Sequence, residues 1–151
     1  MEYIESDHDA EGCIFCDKPN QSDDAAAFIL ARADSAFAML NAYPYNPGHL
    51  MVAPFRHTAV LDGLREKEMA DVDSLLQRSV RALTESVGPD GFNLGMNLGR
   101  VAGAGVADHL HWHVVPRWNG DTNFMAVVGE TRVLPELLGE TYAKMKPLFA
   151  A

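Results

Sequence analysis

Three histidines stand at alternate positions in His109-Leu110-His111-Trp112-His113. In an extended chain, side chains alternate between faces, so these three imidazoles share one face at steps of ~7 Å. A lone strand histidine is commonly a hydrogen-bonded core residue. Burying three in a row needs several polar partners, which points instead to metal binding or to catalysis on a phosphate. Imidazole can be nucleophile, proton donor and oxyanion ligand near neutral pH. The two cysteines of the chain form a single C-x-x-C, Cys13-Ile14-Phe15-Cys16. In a chain with no secretion signal this spacing suggests metal or redox chemistry rather than a structural disulfide. As a zinc site it is only half complete, because structural zinc takes four ligands. A redox pair and two unligated thiols remain open, although a thioredoxin-like βαβ context is missing.

Several elements must position these residues. A strand is expected over His109–Pro116, a second over His49–Pro54, and before them apolar runs Ala26–Ala31 and Ala36–Leu40 flank a turn at Ala33-Asp34-Ser35. The apolar residues Leu64, Met69, Val72, Leu75, Leu76, Val80, Leu83 and Val87 recur at three/four spacing, which predicts a helix over 64–87, stopped by Gly88-Pro89. Phe92–Leu98 alternates as a strand, Gly99–Gly105 is a Gly/Ala-rich loop, Phe124–Val128 is a possible short strand, and Leu134–Phe149 is a C-terminal helix with Pro135 in its first turn. Asp17–Ser22 is polar and is read as a loop. The expected class is α+β, an antiparallel β-sheet with one main helix packed on it and a C-terminal helix. Trp112 falls on the face opposite the histidines, where core or dimer packing is its ordinary role.

His109-Leu110-His111-Trp112-His113-Val114-Val115 fits the H-φ-H-φ-H-φ-φ motif, and with it the chain resembles the histidine-triad (HIT) family. Asn41, then Pro47-Gly48-His49-Leu50-Met51-Val52-Ala53-Pro54, then Asn97-Leu98-Gly99 and the glycine loop stand in the order of that family, from about Cys13 to Asn123. Tyr43–His49 and Trp118–Phe124 look like the bacterial branch close to diadenosine tetraphosphate phosphorylase. The resemblance implies a HIT-like fold and a role for each residue. His111 would attack the α-phosphorus of a nucleotide and form a nucleotidyl-histidine intermediate. His113 would hydrogen-bond phosphate oxygens, and His49 would support the triad from the neighbouring strand. Asn41 would hold the ribose, Asn97 would contact phosphate, and Gly103-Ala104-Gly105-Val106 would bring backbone N–H groups to the phosphate. Many relatives carry Gln or Ser where Gly105 and Val106 stand here, so hydrolysis and phosphorolysis of the intermediate both remain open. The resemblance also completes the half-site, implying structural zinc on Cys13, Cys16, His57 and His109.

The function in view is nucleotidyl transfer or hydrolysis on dinucleoside polyphosphates. Its rivals are a nucleotide sensor with incidental turnover and a zinc enzyme with His109, His111 and His113 as ligands. A homodimer is expected from the resemblance, with Phe92–Leu98 and the helix 64–87 as contributors.

With 151 residues and 48% hydrophobic composition, the chain suits a single domain with a real core, expected over 13–151. The net charge of −9 is uneven: residues 1–24 carry eight acids and one base, so residues 1–12 read as a disordered acidic leader and the rest is near neutral. No basic face invites a nucleic-acid polymer. No apolar run approaches the ~18 residues of a membrane span, and the acidic start is no signal peptide. The cytoplasm is the expected location.

Overall fold

The computed structural model describes residues 12–121 and 135–150. The acidic leader, apart from Gly12, and the strand expected over Phe124–Val128 lie outside the described residues. Five strands form one antiparallel sheet in the order β1-β2-β3-β5-β4: β1 (Ile29–Arg32), β2 (Ala36–Leu40), β3 (Leu50–Pro54), β4 (Gly91–Gly95) and β5 (Trp112–Arg117). The α+β class expected from the sequence is the one observed. Among the described residues, no helix is long and apolar enough to cross a membrane.

The two faces of the sheet do different work, and the period-two pattern sorts residues between them. Ala36, Ala38 and Leu40 of β2, Leu50 and Val52 of β3 and Val114 of β5 face the long helix α3 (Glu66–Val87), meeting Val72, Leu75, Ala82 and Leu83. Trp112 packs against this same cluster, as its position opposite the histidines predicts. The intervening residues Phe37, Met39, Met51 and Ala53 face the other way and meet Cys13 and Phe15 from the N-terminal segment. Both faces are therefore covered, which is why β2 and β3 are buried at all five positions. The helix α4 (Pro135–Met145) and a closing 3₁₀ turn, Lys146–Phe149, add Met145 and Phe149 to the α3 side.

Local chemistry moved several boundaries. The polar stretch read as a loop is instead the end of a short helix, α1 (Ile14–Asn20), opened by the Cys13 carbonyl accepting from the Cys16 and Asp17 N–H groups. The run Ala26–Ala31 is only partly strand. Asp23 caps the Ala26 N–H at 3.2 Å and starts one helical turn, α2 (Asp24–Ala27), before β1. The helix expected from residue 64 begins at Glu66, where Glu68 accepts the Arg65 N–H at 2.8 Å. The strand expected over Phe92–Leu98 is shortened to β4.

The strand expected from His109 begins only at Trp112. Its neighbour β3 ends in Pro54, which has no N–H to continue the ladder. The chain there bonds elsewhere, the Leu110 N–H to the Thr58 carbonyl at 2.8 Å. His109 and His111 thus precede the regular strand, and only His113 lies in it.

Candidate active site and metal centre

β3 and β5 are paired antiparallel, with Met51 opposite His113. His49, one residue before β3, is placed by a turn that only glycine satisfies. Gly48 has φ +87°, and a Cβ there would stand 2.8 Å from Leu83 Cδ2. The turn is held by Asn46, whose side-chain amide donates to the Pro116 carbonyl at 2.9 Å and to Asp121 at 2.8 Å.

The four imidazoles nearest the triad have hydrogen bonds that fix their protons. The Tyr45 N–H donates to His49 Nδ1 at 3.1 Å, so in the neutral ring the proton of His49 sits on Nε2. That proton is donated to His113 Nδ1 at 2.9 Å. His113 in turn keeps its own proton on Nε2. His111 donates from Nδ1 to the carbonyl of His109 at 2.9 Å, which leaves the lone pair on Nε2. His109 donates from Nε2 to the Pro54 carbonyl at 2.8 Å, which leaves its lone pair on Nδ1. Burial disfavours the charged form of every one of these rings. It lowers His49 to about 3, with the neighbouring His113 adding to the effect, lowers His109 and His113 to about 4, and lowers His111 as well. At pH 7 all four are neutral, and the proton positions above apply.

Two aromatic rings hold this set. Phe15, 1% exposed, stacks on His111 with centroids 4.6 Å apart and planes 23° apart, and lies 5.4 Å from the ring of His109. Tyr45 stacks on His49 at 4.9 Å. Neither was singled out by sequence reasoning. Phe15 lies between the two cysteines, and its contact with a residue 96 positions away has no local signature. Tyr45 precedes His49 by one helical-turn spacing inside a turn-rich segment, a weak signal at best.

Cys13, Cys16, His57 and His109 converge, as the resemblance implied. Their ligand atoms all lie within 4.8 Å of one another. Cys13 Sγ is 3.4 Å from His109 Nδ1, Cys16 Sγ is 3.4 Å from His57 Nδ1 and 3.6 Å from His109 Nδ1, and the two Nδ1 atoms are 3.3 Å apart. An ion bonded tetrahedrally at about 2.3 Å to sulfur and about 2.1 Å to nitrogen has ligand separations of about 3.4–3.8 Å. The donor set fits such an ion, and the His109–Pro54 bond presents the correct nitrogen to it. Burial, and then the adjacent Cys13, push the Cys16 thiol up to about 11, so Cys16 keeps its proton unless a cation replaces it. His57 is anchored through its neighbour Arg56, which forms a two-pronged ion pair with Glu68 of α3 at 2.8 Å. The alternative in which His109, His111 and His113 share one metal does not fit. His109 points Nδ1 at the cysteines, while His111 and His113 spend theirs on the His109 carbonyl and on His49.

Of the remaining candidates, Asn41 meets His49 and the others bond or pack apart from the three histidines. Asn41 is half-buried beside His49, its Nδ2 3.4 Å from His49 Nδ1 and its Oδ1 accepting the Tyr43 N–H at 2.9 Å. Asn97 donates to the Gly103 carbonyl at 3.3 Å and so braces the glycine loop. Within that loop the N–H groups of Gly103 and Ala104 are taken by the carbonyls of Arg100 and Gly99. Val106 packs against the cluster of Cys13, Phe15 and Met51.

Residues 22–120 match the HIT domain family model. The chain is 45% identical over 127 residues to the AP-4-A phosphorylase of Mycobacterium tuberculosis, an alignment that covers 84% of this chain and 65% of that protein, so the chain spans about two thirds of its length. Among solved structures, a Zn-bound histidine triad family protein from Mycobacterium smegmatis superposes with TM-score 0.73 at 28% identity, covering 94% of this chain and 96% of that one. The histidine triad nucleotide-binding protein ST2152 from Sulfolobus tokodaii shares the fold with TM-score 0.75 at 24% identity, covering 91% and 92%.

Proposed function

The chain belongs to the HIT family, and from that premise we propose that it transfers a nucleotidyl group from a dinucleoside polyphosphate by way of His111. The observation that carries this reading is the fixed tautomer of His111. The bond from Nδ1–H to the His109 carbonyl holds the ring in the tautomer whose lone pair is on Nε2. In the first step that lone pair forms an N–P bond to the α-phosphorus. The bond from the α-phosphorus to the bridging oxygen breaks, and the electron pair leaves with the nucleoside polyphosphate. The positive charge gained by the imidazole is shared with the His109 carbonyl through Nδ1–H. In the second step water or inorganic phosphate attacks the same phosphorus, and the N–P pair returns to Nε2. Covalent catalysis divides one hard displacement into two easier ones.

The supporting roles follow from the same geometry. His113 offers Nε2–H to a phosphate oxygen. Asn41 serves the ribose and Asn97 braces the phosphate loop. Because the Gly103 and Ala104 amides are engaged, Gly105 and Val106 are the loop positions that would turn N–H groups to the phosphate. The metal at the Cys13, Cys16, His57 and His109 cluster is read as zinc in a structural role, supported by the four-ligand set and by the Zn-bound relative. Paired thiols of this kind stay reduced in the cytoplasm, which agrees with an intracellular nucleotide as substrate.

The similarity to the mycobacterial phosphorylase favours phosphate as the acceptor. Incubation with diadenosine tetraphosphate and inorganic phosphate should yield ADP plus ATP, whereas water as acceptor yields AMP plus ATP. Binding of the dinucleotide with neither product pair would overturn the enzymatic reading in favour of a nucleotide sensor.

We also propose a homodimer. The long helix, expected to contribute to the dimer, receives Met145 and Phe149 from its own chain. The contributor that stays uncovered is β4, an edge strand with Leu94 and the following Leu98 both about half exposed. Edge strands left in this state invite pairing, and a two-fold axis would pair β4 with itself. Light scattering at micromolar concentration should give twice the 16.5 kDa of one chain. A single species at 16.5 kDa would refute the dimer.

A further inference from the structure

We propose that Phe15 is a positioning residue, coupling the metal cluster to the orientation of His111. The proposal rests on the reading of His111 as nucleophile. The helix α1 has seven residues and is too short to be stable alone, so its place on the sheet depends on tertiary attachments. Two of these are Cys13 at its N-cap and Cys16 one turn on, both directed at His57 and His109. Phe15 lies in that same turn, buried, with its ring flat against His111. Wherever the cysteines are held, the ring of Phe15 is held.

The geometry suits a guide rather than a plug. A ring stacked at 4.6 Å and 23° lies over one face of the imidazole and not over its edge, which carries Nε2. The other constraints on His111 act at different places. The His109 carbonyl fixes Nδ1, and His113 stands edge-on at 5.0 Å and 74°. His109 is itself a member of the metal group, so the cluster reaches the nucleophile twice: through the backbone carbonyl of His109 and through the ring of Phe15. Misplacing a reacting atom by about 1 Å can cost on the order of a hundredfold in rate. Holding one imidazole from its face and its far edge is a means of preventing that.

The test compares the metal-loaded full chain with Phe15→Leu, which keeps an apolar group of similar bulk but loses the flat face. Imidazole NMR reads the tautomer and ring environment of His111 without substrate, so a failure here is distinct from a failure of the substrate assignment. The expected result is one metal per chain, KM for diadenosine tetraphosphate within about twofold of wild type, kcat lower by roughly tenfold or more, and His111 ring signals shifted and averaged between tautomers. Unchanged His111 signals, or kcat within about twofold of wild type, would overturn the proposal. If Phe15→Leu does not retain metal, the wild-type chain is stripped by a chelator and its spectrum recorded. Averaging of the His111 signals on stripping supports the coupling, and a spectrum identical to that of the loaded chain removes it.

Discussion

His111→Asn will bind nucleotide and fail to turn it over. The amide of Asn can still donate to the His109 carbonyl, so the pocket keeps its form while the lone pair of Nε2 is gone. No neighbouring ring can replace it, because His113 and His49 are tied to each other and His109 faces the cysteines. The loss should be many powers of ten in kcat, the usual consequence of removing a nucleophile. Retention of more than about a tenth of wild-type kcat, ~1.4 kcal/mol of barrier, would sink the assignment. The pH profile belongs to the same expectation. Burial lowers His111, so the free base persists below its ordinary value of 6.5, and acid should slow the wild-type enzyme only below that pH. Stability moves in the same direction. His49 and His113, at about 3 and about 4 when folded, take up protons first in the unfolded chain, so their contribution is complete above about 6.5 and is lost as pH falls toward those values.

Cys13→Ser will release the metal and lower the melting temperature by on the order of 10 °C, since about 1 kcal/mol moves Tm by roughly 2–4 °C for a chain of this size and metal binding is folding free energy. The cysteine is buried and its partner His109 is 96 residues away, so the clip joins the start of the chain to the segment before β5. Metal analysis should give one zinc per wild-type chain and much less in the variant, with a chelator reproducing the thermal shift. A metal-free wild-type protein of unchanged stability would show that the cysteine pair serves another purpose.

What could be read from the sequence divides along a physical line. The alternation of Phe37, Met39, Met51 and Ala53 against Ala36, Ala38, Leu50 and Val52 carries the sheet, and the three/four spacing carries α3, because periodicity is local. The elements that failed were decided by single groups. Pro54 withholds an N–H and shortens β5, and Asp23 caps a turn that turns part of an apolar run into α2. At the site, the composition of the triad and the C-x-x-C were visible, but the choice of His57 and His109 to complete the cluster came from resemblance, since pairs 41 and 96 residues apart leave no spacing to measure. Phe15 on His111 and the Tyr45 N–H on His49 are contacts between distant segments or backbone groups, and nothing in the order of residues announces them.

The chain of bonds from the Tyr45 N–H through His49 to His113 is a wire with one end closed. If His113 surrendered its Nε2 proton, it could take the proton of His49, but His49 would then need one from a backbone amide, which does not release it. In the proposed reaction, His113 would therefore polarise a departing oxygen without delivering a net proton to it. Such a site favours leaving groups that depart as stable anions. A phosphate chain, with its last ionisation near pKa 6, meets that condition, and an alkoxide does not. On the proposed mechanism, a preference against alkoxide leaving groups would originate in the backbone of the turn at Tyr45, upstream of any contact with the substrate.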